Sequence, residues 1–222
     1  QVDPSLTYQI TSGTLETGDS LSGSLGRETG ENVGTYGITS TLDNSNYEIT
    51  YVGANLTIGK KALTITADAK SKVYGQVDPS LTYQITSGTL ETGDSLSGSL
   101  GRETGENVGT YGITSTLANS NYEITYVSAD LTIGKKALTI AADAKSKAYG
   151  SSDPELTYQI TSGALETGDS LSGSLSRATG ESVGKYAISS TLDNSNYEIT
   201  YVGADLTIGK KRSEEHTSEL QS

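Results

Sequence analysis

The feature that most constrains the fold of this chain is repetition. Gln1-Val2-Asp3-Pro4-Ser5-Leu6-Thr7-Tyr8 returns at positions 76–83 and again, as Ser151-Ser152-Asp153-Pro154-Glu155-Leu156-Thr157-Tyr158, at 151–158, a period of 75 residues. A chain built this way folds as copies of one unit, so the 222 residues are read as an array rather than as one or two large domains. Complete units run over 61–135 and 136–211, while 1–60 is a unit without its first strand. Residues 1–60 differ from 76–135 at only three positions: Asp43 for Ala118, Gly53 for Ser128 and Asn55 for Asp130.

The units meet at Leu56-Thr57-Ile58-Gly59-Lys60-Lys61-Ala62-Leu63-Thr64-Ile65, repeated over 131–140. Both halves alternate apolar and polar residues, the pattern of half-buried strands, and only Gly-Lys-Lys separates them. A closing strand runs almost directly into an opening one. Such a joint leaves little linker to swivel, which predicts a stiff string of modules. Units of this size hold a barely sufficient core, so neighbours are expected to support one another, and the unit short of a strand is expected to be the least stable.

Within the second unit, Ala62–Ala67 reads as a strand with Leu63 and Ile65 on one face, followed by a polar connection over 68–72. Asp78-Pro79 sets a turn, because proline fixes its own backbone and holds the preceding residue extended. Residues 81–86 alternate, with Leu81, Tyr83 and Ile85 predicted inward. Gly88, Gly93 and Gly98 punctuate a loop with room for one helical turn, and 97–102 is predicted as a short edge strand. Tyr111, Ile113 and Leu117 form the inward set of the next strand, and Tyr111 is a candidate tyrosine corner. In the last segment the inward set changes parity between Tyr126 and Leu131, which a bulge near Val127-Ser128 or a two-residue hairpin would absorb. Five or six short strands without a convincing helix indicate an all-β class, tandem small Ig-like β-sandwich modules, with β-grasp-like modules as the alternative.

Composition closes several functional classes. Cysteine is absent, which excludes disulfides and thiol chemistry, and the only histidine, His216, lies outside the repeats. A Ser-His-Asp arrangement therefore cannot be built from them. Glu103 and Glu106 could flank a glycosidic bond, but the third unit carries Ala178 in place of Glu103. Asp43, Asn44, Asn46 and Glu48 offer oxygen ligands for calcium. Ala118 removes the first of these in the middle unit, and Asx-rich stretches between strands ordinarily make turns. No catalytic, cofactor-binding or metal residue is assigned. The net charge of −12 disfavours nucleic acid and anionic membranes as partners, and no apolar run is long enough to insert in a bilayer as a helix.

Residues 212–222 have no counterpart in the period and resemble a translated sequencing adapter, so they are set aside. The Lys-Ala-Leu-Thr-Ile opening, Val73-Tyr74-Gly75-Gln76, Asp78-Pro79-Ser80-Leu81-Thr82-Tyr83, Gly93-Asp94-Ser95-Leu96-Ser97-Gly98, Gly109-Thr110-Tyr111 and Asn121-Tyr122-Glu123-Ile124 resemble the bacterial MBG domain of the YGX type. The resemblance implies tandem modules of large secreted or cell-surface, adhesin-like bacterial proteins, with no catalytic residues. It makes stalk or spacer repeats the leading expectation, with neighbouring repeats as partners. The alternative is weak glycan or host-protein binding by each repeat, amplified by avidity.

Overall fold

The chain, described by a computed structural model over residues 2–212, is all-β. The first unit holds β1 (Leu25–Arg27), β2 (Gly34–Ser40) and β3 (Asn55–Ile58). The second holds β4 (Lys61–Ala67), β5 (Lys70–Val73), β6 (Tyr83–Ser87), β7 (Leu100–Arg102), β8 (Gly109–Ser115), β9 (Tyr122–Val127) and β10 (Asp130–Gly134). The third repeats these as β11 (Lys136–Ala142), β12 (Lys145–Ala148), β13 (Tyr158–Ser162), β14 (Leu175–Arg177), β15 (Gly184–Ser190), β16 (Tyr197–Val202) and β17 (Asp205–Gly209). A complete unit thus has seven strands, more than the five or six expected. A β-grasp needs a helix across its sheet, and the described residues contain none.

Each complete unit contributes two sheets, ordered β6-β4-β9 and β5-β10-β8-β7 in the second, and β13-β11-β16 and β12-β17-β15-β14 in the third. The opening strand β4 takes the centre of its three-stranded sheet because its alternation supplies the most deeply buried side chains, Leu63 at 1% and Ile65 at 0% exposure. It runs parallel to β9, Leu63 opposite Ile124 and Ile65 opposite Tyr126, and antiparallel to β6. Leu63, Ile65 and Tyr122 anchor a core closed by Leu90, Leu96 and Leu117 from the glycine-punctuated loops. Ile85 lies opposite Ile65, but an edge strand has no neighbour beyond it, so this residue, predicted inward, stays 38% exposed. The Gly88–Gly98 loop forms a β-turn rather than a helical turn, Asp94 N–H donating to the Glu91 carbonyl with Gly93 at φ +93°.

The connection predicted over 68–72 contains a strand. After Ala67 the chain passes from one sheet to the other, where β5 pairs parallel to β10. The change is fixed by Asp68, whose N–H donates to the Thr82 carbonyl and whose carboxylate accepts from the Thr82 hydroxyl at 2.6 Å. Ser128-Ala129 makes the same passage between β9 and β10. That passage explains the parity change. It is not a hairpin, since β9 and β10 pair with other strands and not with each other.

The chain divides into two compact bodies that do not follow the sequence period. One comprises residues up to 67 with 83–100 and 115–127, and the other comprises 68–82, 101–114 and 128 onward. The three-stranded sheet of the second unit therefore belongs with the first unit, and its four-stranded sheet with the third.

The first unit shows what the opening strand contributes. Tyr47–Val52 has the same sequence as β9 and β16, and Tyr8–Ser12 the same as β6 and β13, yet neither is a strand. Ile49 is 37% and Tyr51 40% exposed, whereas Tyr122, at the head of β9, is 3% exposed. Strand formation here depends on the central partner, not on local propensity. Hydrogen exchange should therefore be at least roughly tenfold faster for amides 47–52 than for 122–127 or 197–202. Peptides extended to residues 53–55, 128–130 and 203–205 tell the three apart by mass, and equal protection would contradict the dependence.

Candidate functional site: the joints between repeats

The connections between units are only one or two residues long: Gly59-Lys60 leads from the closing strand β3 to the opening strand β4, and Lys135 from β10 to β11. Each joint is then fastened from the side by one asparagine. Asn121 ends the Asx turn that leads into β9, its N–H donating to Asn119 Oδ1 at 2.9 Å. Its carbonyl accepts from Lys61 N–H at the start of β4. Its side chain spans to the first unit: Oδ1 accepts from Val33 N–H at 3.0 Å, and Nδ2 donates to Asn32 Oδ1 at 2.9 Å. Asn196 repeats this set at the next joint with Lys136 N–H, Val108 N–H and Asn107 Oδ1, and is 8% exposed. An amide that bonds on both its oxygen and its nitrogen fixes the register of the two units.

The second joint has a further element. Tyr74 extends from the end of β5 into the third unit, where its ring meets Tyr197 edge-on with centroids 5.5 Å apart. Its hydroxyl meets Asp169, which shifts it above the ordinary tyrosine value. Asp169 also accepts from the Tyr197 hydroxyl, and burial followed by that bond pushes Tyr197 up to about 12. The following Gly75 has φ +81°, and a Cβ there would lie 2.2 Å from Glu166 Oε1. Glu166 is itself paired with Lys136 at 2.5 Å. The Tyr-Gly step therefore reads as a docking element, with the ring inserted into the next unit and the glycine allowing its loop to close in. Tyr149, one period later, is 52% exposed.

Behind each joint an ion cluster holds the unit's own loops. Arg102 lies over the Tyr111 ring at 5.4 Å and donates from Nε and Nη2 to Asp78, from Nη1 to the Glu103 and Gly105 carbonyls, and to Glu106. Lys72, its side chain 4% exposed, donates to Asp78 Oδ1 and Glu106 Oε2, both at 2.6 Å. Burial alone would lower the Lys72 ammonium, but the bonds to Asp78 and Glu106 outweigh it and its pKa rises. The Tyr111 hydroxyl donates to the Asn107 carbonyl four residues upstream at 2.8 Å, the bond of a tyrosine corner, and Tyr36 and Tyr186 do the same. Gly105 is required beneath that ring, since a Cβ would come within 2.2 Å of it.

The residues weighed earlier for chemistry have other duties. Asn44 Oδ1 accepts from Asn46 N–H and its Nδ2 donates to the Ser20 carbonyl, while the Asp43 backbone pairs with Ser22, which is turn geometry. Glu103 accepts from Gly112 N–H, whereas Glu106 belongs to the ion cluster. His216 and the rest of 213–222 lie outside the described residues. Neither the bridging asparagines nor the reach of Tyr74 was found by sequence reasoning, although Asn-Tyr-Glu-Ile and Tyr-Gly recur at the period and mark them.

In comparisons with known proteins, the family model described as MBG domain (YGX type) matches residues 1–57, 63–132 and 138–207. No curated protein matches the chain.

Two outcomes follow from this geometry. Tyr74→Ala should lower stability by about 1–3 kcal/mol, whereas Tyr149→Ala should change it by less than about 0.5 kcal/mol, both measured by urea unfolding. Asp78 and Asp153 are held down to about 2 from an ordinary 3.8, first by their arginines and then by their lysines. Their depressed values mean a stabilisation fully present above about pH 4 and lost as pH falls through about 2. The melting temperature should drop across that window, and less steeply in the Asp78→Asn, Asp153→Asn double variant.

Proposed function

The chain belongs to the MBG domain (YGX type) family, three copies in tandem, and from that premise we propose that it is a non-catalytic spacer in a secreted or cell-surface bacterial protein. The observation that carries the reading is the joint itself: one or two connecting residues, flanked by a side-chain amide bonded in both directions. A flexible tether would need solvated residues at that place, and a catalyst would need a convergent polar site. Here the polar side chains that converge fasten one unit to the next or hold the unit's own loops.

The two compact bodies support the same reading through connectivity alone. The chain passes from one to the other five times within the second unit, after residues 67, 82, 100, 114 and 127, rather than once through a linker. The second repeat thus contributes one part to each of the two bodies. A spacer requires that length scale with copy number, so that a distal domain is held at a set distance.

Small-angle scattering on arrays of two, three and four repeats tests the proposal. The longest dimension should rise by a constant increment of no more than about 40 Å per repeat, the extended length of the Tyr122–Gly134 stretch. A dimension that stays constant as copies are added would contradict it.

A further inference from the structure

Each complete unit presents four edge strands, in the second unit β6 and β9 from one sheet and β5 and β7 from the other. Three of them carry charge: Glu123 on β9, Lys70 and Lys72 on β5, and Arg102 on β7. β6 carries none, and the sequence around it, 79–90, has no charged residue. The third unit repeats the contrast, with Glu198 on β16, Lys145 and Lys147 on β12, Arg177 on β14, and an uncharged β13 within an uncharged stretch, 156–165. Charge on an edge strand discourages another strand from pairing with it, so one edge of each complete unit is left without that guard.

The edge is open in two different settings. β6 has a complete repeat after it and β13 a complete repeat before it, yet Ile85 is 38% and Ile160 39% exposed. The ladder to β4 fixes which main-chain groups face outward. Asp68 N–H donates to the Thr82 carbonyl, so Thr82 turns its main chain toward the neighbouring strand. Along an antiparallel ladder this direction alternates, which turns Gln84 toward β4 and aims the N–H and carbonyl of Tyr83 and Ile85 at the open edge. The register shift in this ladder comes after Ile85, so residues 82–85 are regular.

We propose that this edge is a self-association surface, at which β6 pairs antiparallel with β6 of a second copy of the chain about a two-fold axis at Gln84, and β13 likewise about Gln159. The axis sets Tyr83 of each copy opposite Ile85 of the other, and these two residues exchange N–H to carbonyl bonds through the groups that already face outward. Ile85 stands on the core face, opposite Ile65, so the incoming tyrosine ring covers its exposed part in an aromatic and β-branched cross-strand pair. An isologous contact needs a patch that complements itself, and Tyr-Gln-Ile does so in this register. Two chains of net charge −12 repel each other, and contact between them costs least where both surfaces are uncharged, as this strip is. The proposal stands apart from the spacer reading, since it concerns contact between arrays and not their length.

Sedimentation equilibrium of the full chain from about 10 µM to about 1 mM, the range of dissociation constants open to so short a ladder, tests it. Reversible self-association is expected, and it should strengthen with added salt because the repulsion between the chains is screened. Hydrogen exchange at rising protein concentration should slow in peptides covering 83–87 and 158–162 and stay constant in those covering 122–127 and 197–202. Ile85→Lys with Ile160→Lys should raise the dissociation constant roughly tenfold or more, since a lysine guards an edge strand. Val127→Lys with Val202→Lys makes the same charge change on the opposite edges, where these valines are 45% and 49% exposed, and should leave association within about twofold of the unsubstituted chain. A chain that is monomeric throughout the range would overturn the proposal and leave the edge to a different polypeptide. Equal weakening by the two double variants, or slowed exchange confined to other strands, would overturn it as well.

Discussion

The opening strand of each complete repeat is sandwiched by segments that come much later in the same repeat. β4 has β6 on one side and β9 on the other, and its continuation β5 pairs with β10 in the second sheet. Both ladders with the closing segment are parallel, so the first and last strands of a repeat run side by side and cross from sheet to sheet together. Every other element takes its place from this pair. The glycine-punctuated loops cover the face that Leu63 and Ile65 present. The arginine cluster is completed only when the end of β5 delivers Lys72. The next unit can begin one residue after β10 because β10 has already carried the chain to the edge of its own repeat.

Such an arrangement makes context decisive. Tyr-Glu-Ile-Thr-Tyr-Val is present three times, twice as a strand and once irregular, in surroundings that differ chiefly by the presence of a central partner. Aliphatic and aromatic residues that favour strands in general do so by packing on neighbours, and when the neighbour is missing the preference has nothing to act on. With a buried core, among the described residues, of Leu, Ile, Ala and Tyr, and no Trp or Phe in the sequence, no single very large side chain compensates. Burial across the joints, by Tyr74 on Tyr197 and by Asn196 among the 107–108 backbone and side-chain groups, then becomes part of the stability of each repeat.

The period, the strands with strong alternation and the tightness of the joints could be read from the sequence because each is a local pattern. Leu63 and Ile65 sit where alternation puts them, and the short edge strand β7 forms around Leu100. β5 was not readable for a physical reason: Lys-Ser-Lys-Val carries one apolar residue, and what places it is a ladder to β10 about sixty residues away. Asn121 ends an Asx turn, which its residue type suits, but its side chain also serves a second unit that no local pattern announces. The parity change between Tyr126 and Leu131 was a true signal with an unexpected cause, a passage between sheets in place of a bulge or hairpin. Ile85 was misplaced because alternation predicts a face and not whether the strand on it has a neighbour.

Near-identity between repeats raises a problem that the topology itself limits. Any β4-type strand matches any of the slots, so units of almost the same sequence invite exchange within and between chains. What favours the correct pairing with β6 is closeness along the chain. β4 reaches β6 through residues 68–82, whose ends are held together by Asp68 and Thr82, so this ladder closes over a shorter loop than the ladder to β9 does. Closing a longer loop to another repeat costs only modestly more conformational entropy, which means that proximity favours the correct partner without forbidding others. The difference must be reinforced after closure, and the lysine at the end of β5 does this by joining two loops of its own repeat. The net charge of −12 adds a repulsion between separate chains. Fidelity in this array therefore rests on when contacts form and on which loops they join, since the sequences of the competing strands hardly differ.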